Sequence, residues 1–508
     1  MAERSPLKLN LIANFGGQTW ITVVGVLVVP IYLRYLSVEL YGILGVFWTL
    51  QNLLSVLDIG LSSTLNRELA RLSPFPDKLQ EMRDLARTLE IPYWLLGGCV
   101  SMLAFFASPY LAEHWVNSAT IPVDTISSSF KLMSIGLAFQ WTTSLYSGGL
   151  LGLERQVAYN TVNVFCQTIR SIGSVCTLAF LSPTIQTFLI WQVIWSFVTA
   201  VIFALVFWES MPSTGSPAKF QIALLSQIWR FATGMTGNTV AWLILTQTDK
   251  IILSRMLTLE VFGYYALASL LASTGLTALA LSVSKAYYPQ FSRFVALGDT
   301  ASLKAIYHKS SQVMSCLLIP VTAVLTFFSY HILLLWTQNA EIAEKAYVLL
   351  SLLAIGYGIS GLLLLPSYMQ WANGLTKLYF WQNIVGIILV VPVMIFGTLN
   401  YGAVGAPASY LILYLLYVSV GMKIMHRFLL QGELKKWYLD DVGLPALLIS
   451  LSVALCWFFY PPSLSPLLSI FFLVFISIVA MTISFLVVPY PRKWVLEFVF
   501  TKFRGKAV

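Results

Sequence analysis

Charge is what this sequence has least of. Only 10% of its 508 residues are Asp, Glu, Lys or Arg, where a soluble domain carries about 25%. A chain so poor in charge cannot cover itself with a water-facing surface. That excludes an ordinary soluble enzyme and makes lipid its main solvent. Histidine is scarce too: His114, His308, His331 and His426 show no ligand spacing, so neither a metal nor a cofactor is expected. The five cysteines, Cys99, Cys166, Cys176, Cys316 and Cys456, contain no CxxC pair and lie mostly inside apolar runs. They read as packing residues rather than a disulfide framework. The alternation of apolar and polar residues over about ten positions that marks a membrane barrel is also missing.

What the chain has is apolar length: 58% of it is hydrophobic and its mean hydropathy is +0.79. Windows of about twenty apolar residues predict an all-α polytopic membrane protein of about fourteen helices. They fall near 10–33, 42–63, 86–108, 126–150, 157–181, 186–208, 222–253, 261–287, 309–330, 342–370, 377–398, 402–427, 441–460 and 466–488. Arg4 and Lys8 precede the first window, but no small-residue cleavage site follows it, so it reads as a retained helix, not a signal peptide.

The net charge of +9 would suit nucleic acid, but the cations sit in short loops between apolar segments. With the N-terminus inside, 24 of the 30 Lys and Arg fall on the cytoplasmic side. Only Arg34, Lys131, Lys250, Arg255 and Lys345 lie toward the outside, and Arg170 is mid-span. This asymmetry predicts an even number of spans with both termini in the cytoplasm. No nucleic acid partner is expected.

The chain also repeats. Residues 34–42 (RYLSVELYG) align with 255–263 (RMLTLEVFG) at an offset of 221, and 152–155 (GLER) with 374–377 (GLTK) at 222. An offset spanning six helices returns the chain to the same side, so the repeats are parallel. The predicted organisation is an N-lobe over 1–208, a Pro-, Ser- and Gly-bearing linker over 209–221, and a C-lobe over 222–428. An appended helix pair with a cytoplasmic tail occupies 429–508.

Several short motifs stand in a fixed order. They are LYG at 40–42, LDIGLSSTLNRE at 57–68, GLERQ at 152–156, PQFS at 289–292 and ANG at 372–374. In these motifs the chain resembles the Wzx-type polysaccharide flippases of the multidrug/oligosaccharidyl-lipid/polysaccharide superfamily, over about residues 8–430. The resemblance implies two pseudo-symmetric six-helix lobes around a V-shaped central cavity. It also implies alternating access for a lipid-linked oligosaccharide, carried on undecaprenyl diphosphate, across the bacterial inner membrane. Membrane lipid, a coupling ion such as H+ or Na+, and the polysaccharide polymerase machinery are the partners it suggests.

Candidate site residues come from polar groups placed where lipid would reject them. Arg170 lies halfway along the fifth window, on a face shared with Asn160, Asn163, Gln167 and Ser174. A mid-bilayer arginine costs at least about 2.5–3.5 kcal/mol, so it needs a wet cavity or a partner. Its planar fork suits a phosphate; pairing with a carbonyl or helix end is the plainer alternative. The first window carries Asn10, Asn14, Gln18 and Thr22 at i, i+4 spacing, read either as interhelical glue or as sugar-binding cavity lining. Asp249 and Lys250 close the seventh window: a local ion pair, or a coupling carboxylate beside a second phosphate contact. Lys131 has similar standing, or snorkels. Arg34 and Arg255 occupy equivalent repeat positions and read as anchors or gate residues. Asp58 reads as an inner gate or cap.

Two other classes compete with a flippase. A cation-coupled drug antiporter would carry acidic charge in its cavity, yet the first window has no acidic residue. A membrane glycosyltransferase or polymerase would need acidic or histidine chemistry and a large outer loop. The topology can be checked by labelling single cysteines from either side. Positions 73, 216 and the C-terminus should react only from the cytoplasm, and 182 and 400 only from outside; a C-terminus labelled from outside would overturn the even-span map.

Overall fold

The structure is a computed structural model and describes residues 6–54, 60–461 and 464–492. Among these residues it is built almost wholly from helices. The first run is α1 (Pro6–Tyr35), α2 (Val38–Leu54), α3 (Leu61–Leu72), α4 (Leu79–His114), α5 (Val123–Gly152) and α6 (Gln156–Cys176). Then come α7 (Ile185–Ser210), α8 (Ile222–Met256), α9 (Leu259–Leu297), α10 (Thr300–Phe327), α11 (Ser329–Thr337) and α12 (Ala340–Ala372). The last are α13 (Thr376–Tyr401), α14 (Gly405–Leu416), α15 (Met422–Leu429), α16 (Leu434–Lys436), α17 (Leu444–Phe458) and α18 (Pro466–Val487).

The predicted apolar windows overlap helices of this set, although 42–63 runs from α2 to α3 across residues outside the described ones and 309–330 from α10 into α11. Ten stretches among the described residues are long and apolar enough to cross a membrane, one of them the Thr376–Leu429 run that holds α13 to α15. Large apolar side chains such as Leu103, Phe106, Phe396, Leu399 and Phe471 are exposed along them. In water such a surface would aggregate; in a bilayer it is the lipid-facing side. The chain is a multi-pass α-helical membrane protein.

By internal packing it forms two units, Met1–Gly263 and Tyr264–Val508. In the first, α3 packs on α5 through small residues. A Cβ on Gly148 would lie 2.6 Å from the Ser62 carbonyl oxygen, and one on Gly152 2.4 Å from that of Asn66. Two motifs singled out in the sequence, LSSTLN and the G of GLERQ, thus meet. The close approach lets Leu61, Leu65 and Leu69 of α3 join Leu145, Tyr146 and Leu150 of α5 in one buried apolar cluster. Residues 209–221 are stitched to α4 rather than slack. Asp84 accepts from the backbone N–H of Lys219 (2.8 Å) and from the Gln221 amide (2.6 Å), and Thr88 Oγ1 accepts from the N–H of Gln221.

In the second unit α17 and α18 pack on α10, burying Ile449, Val453, Ile476 and Ala480 against Ile319, Ala323 and Phe328. The repeat appears in the hairpin turns. Leu153, Glu154 and Arg155 donate backbone N–H bonds to the carbonyls of Gly149, Leu151 and Leu150; Asn373, Gly374 and Leu375 donate to Met369, Trp371 and Gln370. Glu154 and Gly374 are both left-handed, at φ 56° and 73°. The shared offset is 220, which corrects the 222 read from GLER and GLTK. The sequence match paired glycines, whereas the turn pairs left-handed positions, and the first repeat fills its own with Glu154.

Gly152→Val is expected to destabilise the protein by about 1–3 kcal/mol, since the carbonyl it would meet is main chain. Gly98→Ala, where nothing lies within 4 Å of the new carbon, should be neutral or stabilising by up to about 1 kcal/mol. Thermal unfolding of the two variants in one detergent checks the contrast.

Candidate functional site

The polar stripes of α1 and α6 meet each other. Asn14 donates to Gln156 Oε1 at 2.9 Å and accepts from Asn160, which also donates to the Gln156 carbonyl at 2.8 Å. Gly17 admits this contact: a Cβ there would stand 2.9 Å from Asn160 Oδ1. Two turns along, Trp20 donates to Thr168 at 2.8 Å. Asn14 is therefore glue between helices, while Gln18 is exposed and Asn163 half-buried. The side chain of Asn10 lies outside the described residues.

Arg170 is held by α7. Trp195 and Trp191 donate to the main-chain carbonyls of Cys166 (2.7 Å) and Arg170 (3.0 Å). Gly173 makes room for Trp191, whose ring would be 1.9 Å from a Cβ at that position. Arg170 Nε donates to Gln192 Oε1; the Gln192 amide donates to Ser174 Oγ (2.8 Å); Ser174 Oγ donates back to the Arg170 carbonyl (2.7 Å). This closed triangle occupies one edge of the guanidinium and leaves its terminal nitrogens for the space beyond.

That space is a cavity of about 190 Å³ inside the first unit, lined by Arg170, Gln167, Gln51, Gln140, Ser196 and Thr199 among others. Gln51 donates to Gln140, and Gln140 to Ser196 Oγ at 3.2 Å. Among the described residues no carboxylate belongs to the lining, and Tyr32 is an ionisable neighbour of the guanidinium. The cavity is polar, amide-rich and cationic: it can receive an anionic group and hydrogen-bond its hydroxyls. Gln51, Gln140 and Gln192 were not among the expected site residues. The signal for Gln140 and Gln192 was their presence within otherwise apolar helices.

The other expected residues lie elsewhere. Lys131 sits over the Phe105 ring, 5.8 Å from its centre. Asp249 is buried with Lys250 Nζ 3.4 Å away, and neither lines the cavity. Arg34 and Arg255 are both exposed in the last turns of α1 and α8. Asp58 lies outside the described residues.

Near Arg255 a second feature emerges. A Cβ on Gly42 would fall 2.1 Å from the Leu259 carbonyl oxygen, and one on Gly263 2.3 Å from that of Val38. Positions 38 and 259, and 42 and 263, are equivalent under the 221 repeat, so the contact is reciprocal. Glu39, buried beside it, accepts from Ser118 Oγ (2.7 Å), the N–H groups of Ala119 (2.9 Å) and Thr120 (3.4 Å), and the Thr120 hydroxyl. Burial raises its pKa, but these donors outweigh burial and hold it below the usual carboxylate range. The α4–α5 loop they anchor also pairs with the α8–α9 turn, where Leu259 N–H donates to the Asn117 carbonyl at 2.7 Å.

Comparison with known proteins places this arrangement. The sequence profile of the family described as "Polysaccharide biosynthesis protein" matches residues 7–295. The chain is 21% identical over 379 residues to the lipopolysaccharide biosynthesis protein WzxC of Escherichia coli K12, covering 72% of this chain and 73% of that protein. Among solved structures, the fold is similar to the lipid II flippase MurJ in an inward closed conformation. The TM-score is 0.70 at 15% identity, covering 94% of this chain and 98% of that one. It is also similar to an inward-facing multidrug resistance MATE family transporter, with a TM-score of 0.64 at 13% identity over 82% and 96% of the two chains. At such identities the structural likeness shows a common fold.

Because Arg170 pairs with no carboxylate in the cavity lining, replacing it strands no opposite charge. Arg170→Gln is expected to change unfolding free energy by less than about 1 kcal/mol, whereas Asp249→Ala, which removes a buried carboxylate 3.4 Å from Lys250 Nζ, should cost about 1.5–3 kcal/mol. Thermal melts in detergent distinguish the two.

Proposed function

Since this chain belongs to the polysaccharide biosynthesis protein family, we propose that it is a flippase for lipid-linked oligosaccharide. It moves the head group from the cytoplasmic to the periplasmic leaflet of the bacterial inner membrane by alternating access. The observation that carries this reading is the guanidinium of Arg170 facing a polar cavity within membrane-spanning helices, with no carboxylate among the described lining residues. An anionic head group, such as one joined to its lipid through a diphosphate, would supply the charge that the protein withholds. The glutamine amides and the Ser196 and Thr199 hydroxyls suit sugar hydroxyls, which both donate and accept.

The same lining supports a flippase over a drug antiporter. A cavity that draws in lipophilic cations needs negative charge, and the described lining supplies a cation instead. In this proposal residues 1–208 and 222–428 form two six-helix lobes and 209–221 their linker. The helices after 429 offer a groove for the lipid tail, and both termini are cytoplasmic. Asp249, buried beside Lys250, is the candidate for coupling to H+ or Na+. Arg34 and Arg255 anchor the helix ends that the reciprocal glycines draw together. Association with the polymerase machinery would hand the product on.

Binding in nanodiscs tests the proposal with polyprenyl diphosphate, the matched monophosphate and ethidium. The diphosphate should bind best, and its binding should weaken with salt as the charge is screened. Arg170→Gln should weaken it by at least about tenfold, equivalent to 1.4 kcal/mol, and Arg170→Lys by less, because an ammonium lacks the bidentate fork. Saturable ethidium binding that depends on Asp249, without a diphosphate preference, would overturn the flippase reading.

A further inference from the structure

A cluster of ionisable side chains lies in the second unit, apart from the cavity and unused by the proposed transport. His308, in the third turn of α10, is 4% exposed, and Asp441, just before α17, is fully buried. The imidazole has a carboxylate on each side. Its Nδ1 stands 2.5 Å from Asp441 Oδ2, and its Nε2 3.1 Å from Glu433 Oε2. The second oxygen of each carboxylate is also occupied. Lys304 Nζ lies 3.0 Å from Glu433 Oε1, and the Gln312 amide donates to Asp441 Oδ1 at 2.8 Å. Gln312 cannot be turned round without loss, because its own oxygen accepts the backbone N–H of Tyr490 at 2.8 Å.

This geometry has a definite proton requirement. A neutral imidazole donates from one nitrogen only. With both carboxylates ionised, its other nitrogen would face a carboxylate oxygen lone pair to lone pair. One further proton, on the ring or between Nδ1 and Oδ2, turns both contacts into hydrogen bonds. It also balances the local charge: the imidazolium and Lys304 against Asp441 and Glu433. Without it, a net negative charge and an opposed pair of acceptors stay buried. Among the described residues, the other ionisable groups facing the cluster are Tyr307 on α10, His426 on α15, and Lys436 and Tyr438 on the segment leading into α17. None of the first, second and fourth supplies a fixed positive charge that could replace the proton, and Lys436 is not hydrogen-bonded to the imidazole.

We propose that His308, Asp441 and Glu433 form a buried proton-binding site whose occupancy latches the two appended helices onto α10. The three elements joined are those the latch would need. His308 and Gln312 belong to α10, Glu433 and Asp441 flank the start of the appended segment, and Tyr490 follows its last helix. Docking binds the proton more tightly than the undocked state does, so it is favoured at low pH and weakens as pH rises. The site stands whether or not the chain is a flippase, since no substrate enters the argument.

Hydrogen–deuterium exchange on the full chain in nanodiscs tests it, with rates corrected for the intrinsic pH dependence of amide exchange. The reporter peptides span residues 430–443 and 484–492, the second containing the Tyr490 amide that Gln312 protects. From about pH 6 to about pH 9 their exchange should rise at least about tenfold in the wild type, while peptides from α4 stay level. Asp441→Asn and Glu433→Gln each put an amide donor beside the ring, so a neutral imidazole is satisfied on both sides without the extra proton. Both variants should remain protected across the range, and Glu433, at the rim of the cluster, is the substitution least able to disturb folding. Wild-type protection indifferent to pH would overturn the proposal. So would amide variants that keep the wild-type pH response, since the carboxylates would then be ordinary structural ion pairs.

Discussion

Hydrocarbon offers neither donor nor acceptor, so a polar group that enters the membrane must find its partner in the protein or in water held there. The first unit is arranged around that constraint. Asn14 on α1 meets Asn160 and Gln156 on α6; Trp191 and Trp195 on α7 reach main-chain carbonyls of α6; Ser101 on α4 reaches the Ser134 carbonyl of α5. Each such bond is modest within a bilayer, about 0.6–2 kcal/mol. Together they fix which helix faces which. Against that background the far edge of the Arg170 guanidinium stands out, because it is turned to the cavity.

That residue also decides between chemistries. The seventh predicted span contributes a lysine, but Asp249 is buried beside it, and the lysine of the fourth span rests on an aromatic ring. A count of cations along the chain makes these three equal. Geometry separates them, because an ion pair or a ring face answers much of a cation's demand, whereas glutamine amides answer little of it. The polarity of the cavity is thus set by what is absent from its wall as much as by Arg170 itself.

Much of this was legible in the sequence. The apolar windows overlap helices because span length is fixed by bilayer thickness, and Arg170 stands out because its cost in lipid is high. The faces of α1 and α6 could be read from spacings of three and four, but spacing gives a face and not the helix opposite it. Asn14 was therefore equally readable as glue or as lining, and Gln192, which holds the arginine, was missed. Gln51 and Gln140 were missed for the same reason: their partners are each other, 89 residues apart. The second repeat match slipped by two residues because short motifs align by residue type, whereas the turn is defined by a left-handed position that Glu154 fills in one copy and Gly374 in the other.

The contact of Gly42 with the Leu259 main chain is mirrored by Gly263 on the Val38 carbonyl, where Val38 Cγ1 would also lie 2.8 Å from an added Cβ. A contact in which position i touches j and j touches i is what a two-fold axis produces between identical subunits. Within this single chain it relates equivalent positions of the repeat read in the sequence. The two copies differ in polar equipment, one carrying Arg170 on α6 and the other no arginine on α13, yet each keeps the glycine against which the other rests.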